Sequence, residues 1–202
     1  MSEQNEQLQN KRHSLAHLLA AAVMHMWPDT KRTIGPAVDD GFYFDFDFAE
    51  PITEKDLPKI EKQMRNIMQR WDGFERSELT ADEAKAEYPN NQYKHELIDE
   101  FTKEGEKVSF YKSGEYWDLC RGGHVESMRE IKPDSFKLDR IAGAYWRGDE
   151  KNTMLTRIYG FAYDTKDELD AHLAMIEEAK KRDHRKLGQQ MDLFTFSDQV
   201  GK

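Results

Sequence analysis

Cysteine is nearly absent from this sequence, since Cys120 is the only one among 202 residues. A single cysteine excludes an intrachain disulfide and fits a reducing compartment. The chain also lacks any apolar run near the roughly 20 residues that span a bilayer. Its polar start contains no apolar segment of the kind found in signal peptides. These absences predict a soluble, cytoplasmic protein with no membrane partner.

The length and composition predict a folded chain. Aromatic residues make up 11% and charged residues 34% of the sequence, and that aromatic content is too high for a disordered protein. A chain of 202 residues is long for one small domain and short for two ordinary ones. We therefore expect one main domain with an appendage.

The net charge of −9 is unevenly distributed along the chain. Acidic residues outnumber basic ones between Asp39 and Glu106, whereas a basic cluster lies near the C-terminus. That cluster contains Lys180, Lys181, Arg182, Arg185 and Lys186. It allows a polyanion to dock on one side of the molecule, although a solvated helix face is the more usual explanation of such a cluster.

Helical periodicity is strongest near the N-terminus, where it predicts a helix over about 13–27 that ends before Pro28. One apolar stripe contains Leu15, Leu18, Leu19, Ala22, Val23, Met26 and Trp27. The opposite face carries His13 and His17 with the small or apolar Ala20 and Met24, where Lys and Glu are usual. This face is therefore expected to line something other than bulk water.

The remaining patterns predict an α+β fold. Four phenylalanines alternate with polar residues from Phe42 to Phe48 after turn signals, which indicates a hairpin. Capping boxes predict helix starts at Thr53 with Asp56, at Thr80 with Glu83 and at Thr165 with Glu168. We expect a mostly antiparallel sheet packed against helices at about 13–27 and 54–71. A weak strand is expected at 107–111, and a long C-terminal helix at about 166–187.

Two short motifs concentrate reactive side chains. His13 and His17 are four residues apart on the predicted helix, so their rings are adjacent. The second motif, DLCRGGH, runs from Asp118 through Cys120 to His124 and contains two glycines that allow a tight turn. If it begins on a strand, Asp118 and Cys120 share a face.

Three interpretations of these residues remain open from spacing alone. Three histidines and a thiol form a plausible tetrahedral zinc site, or three ligands and a water. They also suit a metal-free hydrolytic pocket, where a histidine positions water and amides stabilise an oxyanion. Finally, they are compatible with hydrogen-bonded core histidines beside a small apolar cysteine.

The order of several longer segments resembles the editing region of bacterial threonyl-tRNA synthetases. The resemblance covers about residues 13–193. Its segments are HSLAHLLAAAV, IGPAVDDGFYFDFD, YWDLCRGGHV, KLDRIAGAYWRGDEKNTMLTRIYG and KKRDHRKLGQQMDLF. The alanyl-tRNA synthetase editing domain shares only the histidine and cysteine spacings, whereas AGAYWRGD and the last segment favour the threonyl family.

This resemblance implies hydrolytic proofreading of Ser-tRNA(Thr) as part of a threonine–tRNA ligase. It also implies an editing domain over 1–164, a linker helix over 165–188, and the start of a catalytic domain over 189–202. The class II catalytic core, with its ATP and zinc sites, would then lie beyond this chain, so no aminoacylation is expected from it. The alternatives are a zinc-dependent alanyl-type editing domain and a non-catalytic tRNA-binding module.

The resemblance also assigns roles to individual residues. The catalytic pocket would contain His13, His17, Lys94, Asp118, Cys120 and His124, with Gly35, Tyr43 and Arg121 binding substrate. His13 would activate or position water, with His17 beside it. Lys94 would meet a phosphate or hydroxyl, and Asp118 would bind the serine amine. Cys120 and His124 would shape the pocket around the terminal ribose.

Cofactor and partner expectations follow from the same family. Editing is expected to need no metal, although zinc at His13, His17, Cys120 and His124 is the alternative. The partner would be the acceptor end of tRNA(Thr) carrying serine. The full-length enzyme would be a homodimer, and this chain alone a monomer.

One position departs from the family pattern. The family usually has C-R-G-P-H, whereas this chain has Gly123 where the proline stands. Loss of proline's fixed φ frees the loop that precedes His124. The placement of His124 is therefore expected to depend on how this loop folds.

Overall fold

A computed structural model describes residues 3–182, and it shows an α+β fold with five helices and two antiparallel sheets. The predicted fold class is confirmed. The helices are α1 (Glu3–Met26), α2 (Leu57–Met68), α3 (Ala81–Ala86), α4 (Gln92–Phe101) and α5 (Lys166–Lys181). The strands are β1 (Lys31–Arg32), β2 (Ala37–Val38), β3 (Gly41–Asp47), β4 (Glu75–Leu79), β5 (Val108–Ser113), β6 (Tyr116–Leu119), β7 (Phe136–Tyr145) and β8 (Met154–Ala162).

The larger sheet forms around the predicted hairpin. Strand β3 lies between β8 on one side and the short β1 and β2 on the other, and β7 completes the sheet beyond β8. Phe42, Phe44 and Phe46 of β3 are buried on the face that packs against α1. The alternation of phenylalanine with polar residues therefore correctly predicts which face is buried.

The smaller sheet places one of the two reactive motifs. Its strand order is β4-β5-β6, and β6 leads directly into Cys120. Tyr116 and Asp118 are buried while Trp117 and Leu119 are half-buried, so alternate residues share a face as the period of two predicts. This alternation directs Asp118 and Cys120 toward the same side of the strand.

Helix α1 is longer and more deeply buried than its apolar stripe predicts. It begins at Glu3, about ten residues before the predicted start, and every residue from Ser14 to Val23 is buried. Helix α2 and the large sheet both pack against it. Small residues such as Ala16 and Ala20 let these neighbours approach, so α1 is the central helix of the core.

Arg12 ties α1 to the large sheet. Its guanidinium is buried and donates hydrogen bonds to the carbonyl oxygens of Val38, Asp39 and Ala162. A guanidinium has five donors in a fixed geometry, so it can join two strand ends to one helix. The link fixes the helix segment immediately before His13.

The three predicted capping boxes are present at the starts of their helices. The Thr53 box precedes a single turn of 3-10 helix that runs into α2. Helix α5 is attached near its start, where Leu169 is buried and the His172 ring lies against Phe161. Its predicted extension to 187, and the segment from 189 onward, lie outside the described residues. Among residues 3–182, no helix combines the length and the apolar character needed to cross a membrane.

Candidate functional site

A cavity of about 420 Å³ lies between α1, residues 33–37, α4 and the end of β6. His13 and His17 face this cavity from successive turns of α1, and their ring centroids are 5.1 Å apart. The face of α1 that the sequence predicts to line something other than water therefore lines this cavity.

The chain after β6 brings Cys120 and His124 to the two helical histidines. The Sγ of Cys120 lies 3.4 Å from Nε2 of His13 and 3.3 Å from Nε2 of His124. The His124 ring stacks on the His13 ring at 4.4 Å and on Phe74 at 3.9 Å. Residues more than 100 positions apart in the chain thus form one compact cluster.

Hydrogen bonds orient two of the three histidines. Nδ1 of His13 lies 3.2 Å from the carbonyl oxygen of Gly123. A carbonyl only accepts, so Nδ1 of His13 donates, and Nε2 of the neutral ring keeps its lone pair. Nδ1 of His124 lies 3.3 Å from the Ser14 hydroxyl, which also accepts from the Val125 amide. Nδ1 of His17 is buried, and no residue between 3 and 182 gives it a hydrogen bond.

Burial keeps the cluster uncharged at neutral pH. It lowers the pKa of His13, lowers that of His17 to about 3, and also lowers the pKa of His124. It raises the pKa of the Cys120 thiol to about 11. The imidazoles are therefore proton acceptors, while the thiol is not the ionised nucleophile of cysteine hydrolases.

A second group of polar side chains centres on Asp118. Its carboxylate lies 2.6 Å from Nζ of Lys94, which extends from the first turn of α4. The side chains of Lys94 and Asp118 are only 2% and 1% exposed. Tyr88 donates to Oδ1 at 2.7 Å and Tyr116 to Oδ2 at 2.8 Å. Arg32 adds a second cation, with its Nε 3.5 Å from Oδ1.

The two cations determine the charge state of Asp118. Burial alone would raise the pKa of this carboxyl, but Lys94 and Arg32 outweigh burial and hold the pKa well below its usual range. Burial lowers the pKa of Lys94, and Asp118 opposes that change. The carboxylate has about four acceptor positions, and most of them are filled by protein donors. Asp118 thus holds the Lys94 ammonium in place beside the cavity.

Comparison with known proteins shows which sequences this chain is similar to. Residues 108–159 match the family described as threonyl and alanyl tRNA synthetase second additional domain. Proteins named threonine–tRNA ligase are 50% identical over 96% of the chain in Borrelia garinii subsp. bavariensis and 51% identical over 97% in Gloeobacter violaceus. The resemblance to threonyl-tRNA synthetases is confirmed. The chain spans about a third of the length of these relatives, at 33% and 31%.

The editing-type domain places most of the predicted substrate-binding residues at the cavity. Gly35 and Arg121 line it. A Cβ on Gly35 would lie 2.1 Å from the Phe44 ring, so only glycine fits there. Tyr43 does not line the cavity, because it faces the other side of β3 against Tyr159 and Arg157. The alternation along β3 explains this difference, since Phe44 and Tyr43 lie on opposite faces.

Several residues of the candidate site are not predicted from the sequence. Arg32, Tyr88 and Tyr116 surround Asp118, and Ser14 orients His124. Tyr116 could have been found, since it precedes Asp118 by the same two residues that separate Asp118 from Cys120. The others carry no local signal, because their contacts join segments far apart in the chain.

The double glycine of the editing-type domain forms a turn that proline could not form. Gly122 and Gly123 have φ angles of +102° and +82°, whereas proline is fixed near −65°. This turn directs the Gly123 carbonyl toward His13. His124 remains fixed between Ser14, Cys120 and Phe74, so the loop places it firmly without the family's usual proline.

Replacing Gly123 is expected to impair the site more than the fold. In Gly123→Ala the positive φ costs about 1 kcal/mol of the free energy of unfolding, and the turn relaxes away from His13. Gly105 has the same φ of +82° with no atom within 4 Å of a Cβ, so Gly105→Ala is a matched control. Urea unfolding should show similar losses for both, while only Gly123→Ala lowers the rate of the ester hydrolysis proposed below. Equal rates for the two variants would contradict a role for the turn.

The four donor atoms of the cluster fit one metal ion. The ligand atoms of His13, His17, Cys120 and His124 all lie within 4.8 Å of one another. Zinc ligands at bond lengths of 2.0–2.3 Å lie about 3.3–3.6 Å apart in tetrahedral geometry, and both sulfur–nitrogen distances are close to that range. The hydrogen bonds on the opposite nitrogens of His13 and His124 resemble those that orient metal ligands. This group could therefore hold zinc.

Proposed function

We propose that this chain hydrolyses mischarged Ser-tRNA(Thr) as the editing part of a threonine–tRNA ligase. The observation that carries the proposal is the position of His13, whose Nδ1 donates to the Gly123 carbonyl and whose Nε2 lone pair meets only the weak thiol donor of Cys120, at 3.4 Å. Beside it, the buried ammonium of Lys94 lines the same cavity. A neutral base and a fixed cation in one cavity suit hydrolysis of an ester.

The chemistry of the two amino acids explains why such a step is needed. A synthetic site that binds the threonine hydroxyl also accepts serine, which keeps the hydroxyl and lacks one methyl group. One missing methyl supplies only about 1–3 kcal/mol of discrimination. A second cavity that hydrolyses the smaller product increases the overall accuracy.

In the proposed reaction, Nε2 of His13 takes a proton from a water molecule as its oxygen bonds to the ester carbonyl carbon. The carbon–oxygen bond to the terminal ribose then breaks, and the ribose oxygen receives that proton. An ammonium has three donors, so the ion pair with Asp118 leaves Lys94 able to stabilise a ribose or carbonyl oxygen. Cys120, His17 and His124 shape the wall of the pocket.

The role proposed for Asp118 differs from the amine contact that the family resemblance implies. Tyr88, Tyr116, the Leu119 amide and Lys94 already occupy its oxygens. Little acceptor capacity remains for a substrate amine. We infer that Asp118 acts by positioning Lys94.

We propose that hydrolysis needs no bound metal. Zinc held by His13, His17, Cys120 and His124 would have no open position for water, which characterises a structural site. Held by three of them, zinc would supply a bound water of lowered pKa, as in the alanyl-type alternative. The fit of the four donor atoms is the observation that favours this alternative.

Metal analysis tests this choice. After purification without chelator, the chain is expected to contain far less than one equivalent of zinc, and treatment with EDTA should leave the rate of serine release unchanged. One equivalent of zinc together with loss of the activity in EDTA would support the alanyl-type mechanism instead. Readdition of zinc to the treated chain is the matched control.

The proposed function itself is tested by comparing two substrates. The chain should release serine from Ser-tRNA(Thr) at least about tenfold faster than threonine from Thr-tRNA(Thr), since a methyl-sized difference yields roughly 10–200-fold. Seryl-adenosine serves as a minimal substrate if tRNA binds weakly. A chain that hydrolyses neither serine ester would be a non-catalytic module, and equal rates for serine and threonine would contradict the proofreading specificity.

A further inference from the structure

A second cavity of about 270 Å³ adjoins the catalytic cavity. The two share the wall formed by Phe101, Leu119, Cys120 and Arg121. Beyond that wall, the second cavity is lined by Glu106, Lys107, Val108 and Ser109. A ligand whose reacting end occupies the first cavity therefore has a neighbouring space for its next unit.

The side chains around the second cavity suit one nucleotide. The guanidinium of Arg121 lies 4.3 Å from the centre of the Phe101 ring. Arg121 and Lys107 are exposed, and no carboxylate between residues 3 and 182 lies within 4.0 Å of either cation. Two such cations beside an aromatic face form the combination that binds single-stranded nucleic acid, where bases stack and phosphates contact cations.

We propose that this second cavity binds the nucleotide that precedes the aminoacylated one. The inference rests on the proposed function, because the ester in the first cavity then belongs to a terminal nucleotide. The phosphate that joins the two nucleotides would pass the shared wall at Arg121. The preceding base would stack on the exposed guanidinium of Arg121, which itself lies over the Phe101 ring. Lys107 would neutralise the phosphate on the 5′ side of that base.

Glu106 argues for a base rather than a second phosphate in this cavity. Its carboxylate would repel a phosphate, but it can accept a hydrogen bond from the exocyclic amine of a base, as Glu does with cytosine. The volume of about 270 Å³ is slightly below the roughly 300–1,000 Å³ of whole-ligand pockets. One base and its linkage match that size better than a larger ligand.

The test compares two non-hydrolysable ligands on the full chain. One is adenosine with serine attached through a 3′-amide, and the other carries one additional cytidine on its 5′ side, with a phosphate on the 5′ oxygen of that cytidine as well as the phosphate that joins the two nucleosides. The extended ligand is expected to bind at least about fivefold more tightly, which is the lower end of base stacking on an aromatic side chain. Calorimetry at fixed salt measures both dissociation constants.

Two variants test whether the tighter binding of the extended ligand comes from the second cavity. Phe101→Leu keeps an apolar side chain but removes the ring on which the Arg121 guanidinium lies, so the ratio of the two dissociation constants should fall toward one. In Lys107→Gln the ratio should shrink and lose the part of its salt dependence that comes from one phosphate contact, since Arg121 still meets the joining phosphate. Lys112→Gln is the matched control, because Lys112 is exposed on β5, the strand that Lys107 immediately precedes, and does not line this cavity. Circular dichroism checks that each variant folds. If Phe101→Leu does not fold, Lys107→Gln still tests the proposal, because Lys107 is exposed and its replacement should not disturb the fold.

Each outcome separates this inference from the proposed function. Equal dissociation constants for the two ligands in the wild type would overturn the second cavity as a nucleotide site. A gain that persists in both variants would also overturn it. If the extended ligand binds more tightly as expected but the corresponding serine ester is not hydrolysed, the proposed function is overturned and the nucleotide site is not.

Discussion

A His13→Ala chain is expected to release serine from Ser-tRNA(Thr) about 10²–10⁴-fold more slowly than the wild type, which is the usual contribution of a positioned acid or base. His13 supplies the only imidazole of the cluster whose Nδ1 donates to a backbone carbonyl among the described residues. Since it is half-buried, its removal should leave the fold intact. Single-turnover deacylation, with circular dichroism as the folding check, measures the effect.

A second substitution separates proton transfer from packing. His13→Asn keeps a side-chain N–H near the Gly123 carbonyl but has no acceptor at the position of Nε2. It should be as inactive as His13→Ala if His13 accepts a proton. His25→Ala, an exposed histidine near the end of the same helix, should retain the full rate. If wild-type serine release is no faster than that of His13→Ala, then His13 plays no catalytic part.

Replacing Asp118 by asparagine is expected to lower the free energy of unfolding by about 3–5 kcal/mol, the usual cost of removing one partner from a buried charge pair. The substitution leaves Lys94 and Arg32 as buried cations without their anion. Urea unfolding measures the loss. Asp99→Asn is the matched control, because Asp99 pairs with Lys85 while 62% exposed and should cost less than about 1 kcal/mol.

The pH dependence of stability adds a second readout for Asp118. Its pKa is lower in the folded chain than in the unfolded chain, where it is near 3.9. Its contribution is therefore present above that unfolded value and is lost as the pH falls toward the folded pKa. In Asp118→Asn, this contribution to the fall of the unfolding free energy at low pH should be absent. A double-mutant cycle with Lys94→Met measures the coupling energy of the pair, and additive effects would contradict the coupling.

The sequence predicts the elements whose signals are local. The stripe from Leu15 to Trp27 predicts the core of α1, and the phenylalanines of β3 predict its buried face. The capping pairs at Thr53, Thr80 and Thr165 predict helix starts because both partners lie within one turn. The pairing of β7 with β8 is not predicted, because strand order depends on contacts between distant segments.

The candidate site also contains residues that local sequence patterns predict and residues that they do not. The motifs around His13 and Cys120 predict the cluster because residue type and spacing are both visible in the chain. Arg32 and Tyr88 are not predicted, because each is an ordinary residue whose role arises only where β1, α4 and β6 meet. The position of Tyr43 was assigned from the family resemblance, and the alternation along β3 places it on the other face.

Helix α1 supplies His13, Ser14 and His17 to the site and also the buried residues around which the core is built. Displacement of His13 and His17 would therefore require unwinding of the most deeply buried helix among residues 3–182, rather than movement of a surface loop. Heating should not inactivate the site while the rest of the chain stays folded. The temperature at which serine release disappears should coincide with cooperative melting of the whole domain, and the surviving rate reports the native fraction.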